Sequence, residues 1–362
     1  MIKKEFQNIR EILNNTVEKY PDNNAFIVKN KDMKTYTYIT YKRLQEEINA
    51  LGTALLKLGL KNKRVAVIGK NRYEWAAGYY AVVNGLGTVV PLDKGLPCEE
   101  IELSLKRSKA DAIICEGNYV ETVKEIMNNK STNLSLCICM DDIEEKDILT
   151  YKELLEVGKK ELENGNNEYL NLEINDKETN IILFTSGTTD LAKAVELSHF
   201  NIASNINGLL DHERIYPTDV NMAFLPFHHT FGSTGLLYFM SVGATTVFCD
   251  GLKYVAKNLK EYKVSVFFCV PLIIEAMHKK VMQEIKKKGK EKTVKIGKVI
   301  SKFLLKFKID IRRKLFKDII DGLGGNIRFV ISGAAAIDKQ VALDFNDFGI
   351  LTVQGYGLTE TA

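Results

Sequence analysis

The sequence predicts an α/β protein of two stacked αβ lobes with mainly parallel sheets. Short apolar runs rich in Val and Ile recur along the chain, and segments with helical spacing of apolar residues separate them. Strands that are apolar on both faces and joined by helices are typical of parallel sheets covered on both sides. Because a single core stops growing near about 250 to 300 residues, a chain of 362 residues is expected to form two lobes.

The elements of the first half follow this alternation. A helix is predicted over residues 40–58, with Thr40 as its N-cap and Gly59 as its stop. Further helices are expected near residues 75–86, 99–108 and 119–128, between four strands with the sequences RVAVIG, TVVPLD, DAIICE and LSLCICM. The polar run ENGNNEY, residues 163–169, predicts a loop.

The alternation resumes at residue 180. The strand NIILF leads into a polar loop, and a helix is predicted from about His199 to Ile215. Further strands are expected in VNMAFLPF, ATTVF, VSVFFCV, IRFVIS and ILTVQGY. We assign residues 65–205 to a first α/β lobe and residues 1–64 with 206–362 to a second.

Composition and charge narrow the class of protein. The chain is 45% apolar and 27% charged, as in ordinary soluble domains. Its net charge is +4, but residues 279–317 hold sixteen basic and three acidic residues, so this segment carries +13 and the remainder −9. That distribution argues against a nucleic-acid partner. Scattered cysteines without a C-x-x-C pair, and no apolar run of about 18 residues, indicate a cytoplasmic protein without a spanning helix.

The segment after the strand NIILF has the composition of a phosphate-binding loop. Small or hydroxylated residues follow one another, with a lysine four positions later: Thr185, Ser186, Gly187, Thr188, Thr189 and Lys193. Such a loop can direct backbone N–H groups and hydroxyls at one anion. The pattern GxxxxGK[ST] of nucleoside triphosphatases does not fit it. A surface loop rich in turn formers is the structural alternative.

Five segments in order resemble the acyl-adenylate-forming, AMP-binding superfamily, and within it the long-chain fatty acid CoA ligases. They are TSGTT with Lys193, LPFHHTFG, VPLIIEAM, ISGAAAID and QGYGLTETA. The resemblance implies the N-terminal domain of an acyl-CoA synthetase, without the later barrel and the mobile C-terminal domain. Residues 65–205 would then end in the phosphate loop, and the second lobe would form the acyl and adenine side.

The resemblance also implies an activity. A long-chain fatty acid would react with ATP to give acyl-AMP, with Mg²⁺ bound, and coenzyme A would then take the acyl group as a thioester. Fatty acid, ATP and coenzyme A are therefore the expected partners. Because similar enzymes carry a further domain with a catalytic lysine, we expect residues 1–362 to be inactive or nearly so by themselves.

Residue roles are carried over from matching motif positions. Thr185 to Thr189 and Lys193 would hold the β- and γ-phosphates, Thr359 the α-phosphate, and Glu360 the Mg²⁺ ion. Tyr356 would stack on adenine, and His229, the better match of the pair His228 and His229, would orient the acyl carboxylate. The rest of the nucleotide pocket would comprise Gly333, Ala334, Ala335, Gln354, Gly355 and Gly357.

The loop departs from the common family pattern TSGTTG-x-PKG. Asp190, Ala192 and Ala194 replace Gly, Pro and Gly, which puts a carboxylate near the expected triphosphate and changes the available backbone angles. Two alternatives to the ligase follow. One is an acyl-AMP ligase that loads a carrier protein, and the other is a nucleotide- or lipid-binding module without turnover.

A basic amphipathic helix is predicted over residues 293–320. Its apolar positions share one face and most of its lysines another: Ile296, Ile300, Phe303, Phe307, Ile311 and Leu315 against Lys295, Lys298, Lys302, Lys306, Arg313 and Lys317. Two interpretations are open. The helix contacts anionic lipid peripherally at the inner membrane surface, or its apolar face packs on the lobe while its lysines face water.

Overall fold

The computed structural model describes residues 5–185, 192–212 and 214–361. The strands of these residues are β1 Asn24–Lys29, β2 Tyr36–Thr40, β3 Arg64–Ile68, β4 Thr88–Leu92, β5 Ala112–Cys115, β6 Leu136–Cys139, β7 Leu149–Thr150, β8 Thr179–Thr185, β9 Lys193–Ser198, β10 Val220–Ala223, β11 Thr245–Phe248, β12 Val266–Cys269, β13 Phe329–Ser332 and β14 Leu351–Gln354. The helices are α1 Ile9–Lys19, α2 Tyr41–Lys57, α3 Tyr73–Val83, α4 Cys98–Ser108, α5 Val120–Asn129, α6 Tyr151–Glu163, α7 His199–His212, α8 Thr230–Ser241, α9 Val255–Glu261, α10 Pro271–Lys287, α11 Glu291–Leu305, α12 Arg312–Leu315, α13 Lys317–Gly322 and α14 Lys339–Asp347.

The described residues form two compact units. The first unit takes them from Met1–Arg214, Pro226–Gly243 and Leu358–Ala362, and the second from Ile215–Leu225 and Ala244–Gly357. The sequence-based division, with residues 65–205 in one lobe and residues 1–64 with 206–362 in the other, stays a prediction. Within the first unit, α2 lies against α3 and α6.

The first unit contains a sheet with the strand order β7-β6-β5-β3-β4-β8-β9. Its neighbouring strands are parallel except for β8 and β9, which are antiparallel. Val65 to Ile68 of β3 are all buried, as a strand covered on both faces requires. An antiparallel hairpin of β1 and β2 also belongs to this unit. The predicted strands around residues 64–69, 88–93, 111–116 and 134–140 are confirmed.

The second unit contains parallel strands in the order β14-β13-β12-β10-β11. Parallel strands end at the same edge of a sheet, so the segments after β13 and β14 emerge side by side. No closed barrel occurs among the residues described in either unit. None of the described helices is long and apolar enough to cross a bilayer.

The single helix predicted over residues 293–320 is wrong. The segment is divided into α11, α12 and α13. The backbone leaves the helical path after Leu305, and Lys308 adopts a φ of +62° in the left-handed region, which no continuous helix contains. Of the two interpretations left open, packing of the apolar face on the lobe does not hold for Ile296, Ile300, Phe303 and Phe307, which are all exposed.

Candidate active site

The predicted phosphate loop is flanked by the hairpin of β8 and β9. The two strands pair from Thr179 opposite Ser198 to Thr185 opposite Lys193. Thr185 is partly buried and Lys193 is exposed. Directly opposed residues of an antiparallel pair lie on one face of the sheet, so the hairpin holds a hydroxyl and an ammonium group as neighbours. Ser186, Gly187, Thr188, Thr189 and Asp190 lie outside the described residues.

A second cation supports this hairpin from α4. The guanidinium of Arg107 donates a hydrogen bond to the carbonyl oxygen of Ala192 and lies over the ring of Phe184, 5.5 Å from its centroid. These contacts hold Arg107 against Phe184 of β8 and against Ala192, the residue before β9, and add positive charge near the start of β9. The sequence analysis missed Arg107, because no motif surrounds it and only tertiary packing brings α4 to the hairpin.

The turn Thr359–Thr361 lies beside β9. It is closed by the Thr361 hydroxyl, which donates to the Leu358 carbonyl oxygen at 3.0 Å and accepts from the Leu358 N–H at 3.3 Å. Thr359 is partly buried and Glu360 is exposed. The structure therefore brings the predicted α-phosphate and metal ligands to the strand that begins with Lys193.

The second group of predicted site residues lies in the second unit, at the carboxyl ends of β13 and β14. Ser332 is opposite Gln354 in the parallel register, and the Gly355 N–H donates to the Ser332 carbonyl oxygen at 2.8 Å. The side-chain oxygen of Gln354 accepts from the Ile337 N–H at 3.1 Å. Gly333 and Gly355 therefore follow neighbouring strands, and a hydrogen bond of Gln354 spans the segment after β13.

The surfaces of this second group differ in exposure. Ala334 and Ala335 are exposed, and Ala334 has a φ of +68°, a strained value for a residue with a Cβ. Tyr356 is 90% exposed, and a Cβ placed on Gly357 would have no atom within 4 Å. The Ser332 hydroxyl is buried without a hydrogen-bond partner. The flat aromatic side chain of Tyr356 and the unsatisfied hydroxyl of Ser332 thus lie at the carboxyl ends of two neighbouring strands.

The two histidines have opposite environments. Their rings are 4.3 Å apart, yet His228 is buried while His229 is exposed at the N-cap of α8. Burial, together with the neighbouring imidazole of His229, lowers the pKa of His228 to about 4. The Nε2 atom of His228 lies 3.5 Å from Asp93 Oδ2. His228 is therefore a neutral packing partner, whereas His229 is the one that can meet a ligand from solvent.

A separate cavity of about 560 Å³ lies in the second unit, between α9, α10 and α13. Its lining is mostly apolar and includes Leu259, Met277, Ile285, Phe316 and Leu323. The lining contains none of the predicted site residues, so the motif positions and this cavity are different features.

A lysine, hydroxyls and a carboxylate beside one hairpin are the kinds of group that proteins use to bind a phosphorylated ligand with a divalent cation. Comparison with known families agrees with this class. The family described as AMP-binding enzyme matches residues 13–362, and the chain belongs to that family.

Curated relatives include long-chain-fatty-acid–CoA ligase 5 of Rattus norvegicus, 28% identical over 366 residues, and fatty acyl-CoA synthetase B of Dictyostelium discoideum, 26% identical over 383 residues. The matches cover 94% and 98% of this chain but 53% and 56% of the relatives. The chain therefore spans about half the length of the curated relatives it matches.

Solved structures confirm the predicted fold class. A long-chain-fatty-acid-CoA ligase (FadD1) from Archaeoglobus fulgidus superposes with a TM-score of 0.74 at 17% identity, over 99% of this chain and 65% of that one. The anthranilate CoA ligase AuaEII in complex with anthranoyl-AMP gives 0.74 at 18% identity, over 99% and 61%. At these identities the likeness concerns the fold.

Proposed function

We propose that this chain is the AMP-binding portion of a long-chain fatty acid CoA ligase. Family membership supports the adenylate-forming chemistry, and the names of the curated relatives support the acyl substrate. The proposed substrates are a long-chain fatty acid, ATP and coenzyme A, in a protein of the cytoplasm.

The observation that carries the proposal is the position of the Thr359–Thr361 turn beside β9. Thr359 and Glu360 are far from Lys193 along the chain but close to its strand in space. An ammonium group, two hydroxyls and a carboxylate form the donor and acceptor set that a metal-bound triphosphate needs. A loop that was merely rich in turn formers would not require a carboxylate from the far end of the chain.

Each nucleotide-binding role is proposed from the matching motif position. Thr185, Ser186, Gly187, Thr188, Thr189 and Lys193 hold the β- and γ-phosphates, and Thr359 the α-phosphate. Gly333, Ala334 and Ala335 border the adenine and the acyl entrance, and Tyr356 offers its exposed ring for stacking. Gln354, Gly355 and Gly357 complete the pocket.

The described residues fit a magnesium ion held mainly by its substrate. They contain no cluster of three or more His, Cys, Asp or Glu side chains that would enclose a metal by itself. Mg²⁺ usually takes one or two carboxylates and keeps waters and phosphate oxygens as its other ligands, so Glu360 alone is a sufficient protein ligand. When bound, the ion supplies neutralisation of phosphate charge.

The chemistry consists of two displacements. A carboxylate oxygen of the fatty acid attacks the α-phosphorus of ATP, the bond to the bridging oxygen breaks, and pyrophosphate leaves with its electron pair. The thiolate of coenzyme A then attacks the acyl carbonyl carbon, and AMP leaves. Lys193 and Arg107 stabilise negative charge on the phosphates, and exposed His229 orients the incoming carboxylate. Neither step needs a covalent bond to the protein.

The proposal is tested by pyrophosphate exchange into ATP with palmitate as the acid. The assay uses the natural polypeptide that contains residues 1–362, with Lys193→Ala and Glu360→Gln as variants. Removing one preorganised charge is expected to lower exchange by about 10²-fold. Lys177→Ala, at another exposed lysine, is the matched control and should retain full exchange. Unchanged exchange in Lys193→Ala would reject the assignment of the loop.

Two further measurements separate the alternatives. Mass analysis of the product distinguishes an acyl thioester of coenzyme A from an acylated carrier protein. Calorimetric titration of ATP into residues 1–362 tests nucleotide binding independently of turnover. Binding without exchange in the natural polypeptide would favour a nucleotide-binding module, consistent with Asp190, Ala192 and Ala194 in the loop. The mass analysis, repeated with residues 1–362, checks the expectation that they form little acyl-CoA by themselves.

A further inference from the structure

Helix α11 turns an apolar face to solvent. Ile296, Val299, Ile300 and Phe303 are 61%, 69%, 47% and 58% exposed, and Phe307, just beyond the helix, is 63% exposed. The rings of Phe303 and Phe307 pack edge to face with centroids 5.2 Å apart. A contiguous apolar surface of this kind on a soluble protein marks an interaction site. We refer to these five residues as the α11 apolar face.

The opposite side of α11 is fixed in the second unit by small and charged residues. Gly297 and Ser301 are buried, and a Cβ on Gly297 would lie 3.2 Å from the ring of Phe316. The ammonium of Lys298 points inward to Asp344 at 2.5 Å and lies 4.7 Å from the centroid of the Phe348 ring. Rotating the helix to bury its apolar residues would break this ion pair. The outward orientation is therefore built into the packing.

Lysines border the α11 apolar face. Lys292, Lys295, Lys306 and Lys308 are exposed, and none has a carboxylate partner among the residues that the structure describes. No described carboxylate neutralises their positive charge, and the surrounding segment 279–317 carries a net charge of +13. Apolar side chains flanked by unpaired lysines match the composition of a bilayer surface, with acyl chains beneath anionic headgroups.

We propose that the α11 apolar face inserts into the surface of an anionic membrane, with Lys292, Lys295, Lys306 and Lys308 contacting lipid headgroups. The apolar face and the lysines act together, because a few side chains of either kind give weak binding by themselves. The inference is independent of the proposed enzymatic activity. Its lipid contact would hold the second unit at the membrane surface without a spanning helix.

Co-sedimentation of the intact protein with vesicles tests the proposal. Vesicles of phosphatidylcholine are compared with vesicles that also contain phosphatidylglycerol. Lys306→Gln with Lys308→Gln should weaken binding to the acidic vesicles by about thirtyfold, and Phe303→Ser with Phe307→Ser by about tenfold or more. Matched controls are Lys159→Gln with Lys160→Gln, two exposed lysines on α6, and Tyr38→Ser, which is 56% exposed; both should bind like the parent protein.

Insertion is measured separately by fluorescence. The chain has one tryptophan, Trp75, which is 1% exposed. Phe303→Trp adds a second indole on the α11 apolar face, and brominated phosphatidylcholine mixed with phosphatidylglycerol should quench its emission. The parent protein contains only the buried Trp75 and should show little quenching. It therefore gives the baseline for the experiment.

Three results would overturn the proposal. Equal and weak binding to acidic and neutral vesicles would remove the lipid partner. Full binding by both double variants would place the contact elsewhere. Concentration-dependent dimerisation that Phe303→Ser with Phe307→Ser abolishes, without vesicle binding, would assign the α11 apolar face to a second copy of the chain.

Discussion

The ammonium of Lys298 on α11 lies 2.5 Å from the carboxylate of Asp344 on α14. Asp344 also accepts hydrogen bonds from His278 on α10 at 2.8 Å and from Gln340 at 2.7 Å. Burial by itself raises the pKa of Asp344, but these hydrogen bonds outweigh it and hold the pKa below its ordinary value of 3.8. One buried carboxylate thus joins three helices of the second unit.

Replacing this carboxylate should destabilise the protein. Asp344→Asn removes the charge while keeping the shape, which leaves Lys298, only 17% exposed, with Asp347 at 3.7 Å. We expect the free energy of unfolding to fall by about 2 kcal/mol, measured by urea denaturation. Asp318→Asn is the matched control, because its pair with Lys290 is exposed and should contribute little to stability. Similar losses in both variants would contradict the prediction.

The same pair should give a pH dependence at the acid end. Because the folded pKa of Asp344 is lowered, its stabilisation is present above the unfolded pKa near 3.8 and is lost as the pH falls through the folded pKa. Urea denaturation of the parent protein and of Asp344→Asn should therefore converge below about pH 4. A constant difference between them down to pH 2 would show that the charge is not responsible.

His199 should make stability depend on pH in a range above that of Asp344. It is fully buried, its Nδ1 accepts the Ile9 N–H at 3.2 Å, and burial lowers its pKa from 6.5 to about 4. The unfolded chain therefore binds the proton first, and stability falls as the pH drops from 6.5 towards 4. Between pH 7 and pH 5, the protonation of His199 should lower the free energy of unfolding by about 2 kcal/mol.

The measurement is urea denaturation at pH 7 and pH 5. His199→Gln should be less stable at pH 7 but should show a smaller loss on acidification, since glutamine does not titrate. His212→Gln, at an exposed histidine of α7, should keep the pH dependence of the parent. An undiminished loss in His199→Gln would assign the effect to other groups.

Arg107 should contribute to nucleotide affinity. Its hydrogen bond to Ala192 and its position over Phe184 place an exposed cation beside the hairpin that carries Lys193. If this hairpin holds the triphosphate, Arg107→Gln should raise the KM for ATP about fivefold, which corresponds to about 1 kcal/mol, with a smaller change in kcat. Steady-state kinetics of the natural polypeptide gives both values. Lys106→Gln, the neighbouring exposed cation on α4, should leave KM unchanged.

Gly158 should tolerate no larger residue. A Cβ at this position of α6 would lie 1.7 Å from the carbonyl oxygen of Ala50 on α2. Gly158→Ala is therefore expected to lower the free energy of unfolding by about 3 kcal/mol, since the helices must separate. Gly208→Ala in α7, where nothing lies within 4 Å, should raise stability by about 0.5 to 1 kcal/mol. Thermal unfolding of the two variants should therefore shift in opposite directions.

Local patterns were sufficient to predict much of the fold. The apolar run of β3 is buried on both faces, and Thr40 caps α2 by accepting the Arg43 N–H at 3.2 Å, as the sequence predicts. Residues 293–320 were mispredicted because helical spacing does not report a break such as the left-handed Lys308. Spacing also does not show which face of a helix is buried, and here the Lys298–Asp344 pair decides that.

The candidate site was predictable only where residues belong to recognisable segments. Lys193 and Glu360 are found by motif, and the structure brings their segments together. Arg107 belongs to no motif and reaches the hairpin through the packing of α4. Which of His228 and His229 can reach a ligand depends on burial. The sequence of two adjacent histidines does not show which one is buried. Which atoms contact substrate stays a prediction for all of these residues.

The antiparallel pairing of Thr185 with Lys193 sets the position of the lysine through the sheet. Backbone hydrogen bonds of the sheet, and not the connecting side chains, fix where the lysine begins its strand. Asp190 stands where the common pattern has glycine, while the pairing with Thr185 still fixes the position of Lys193.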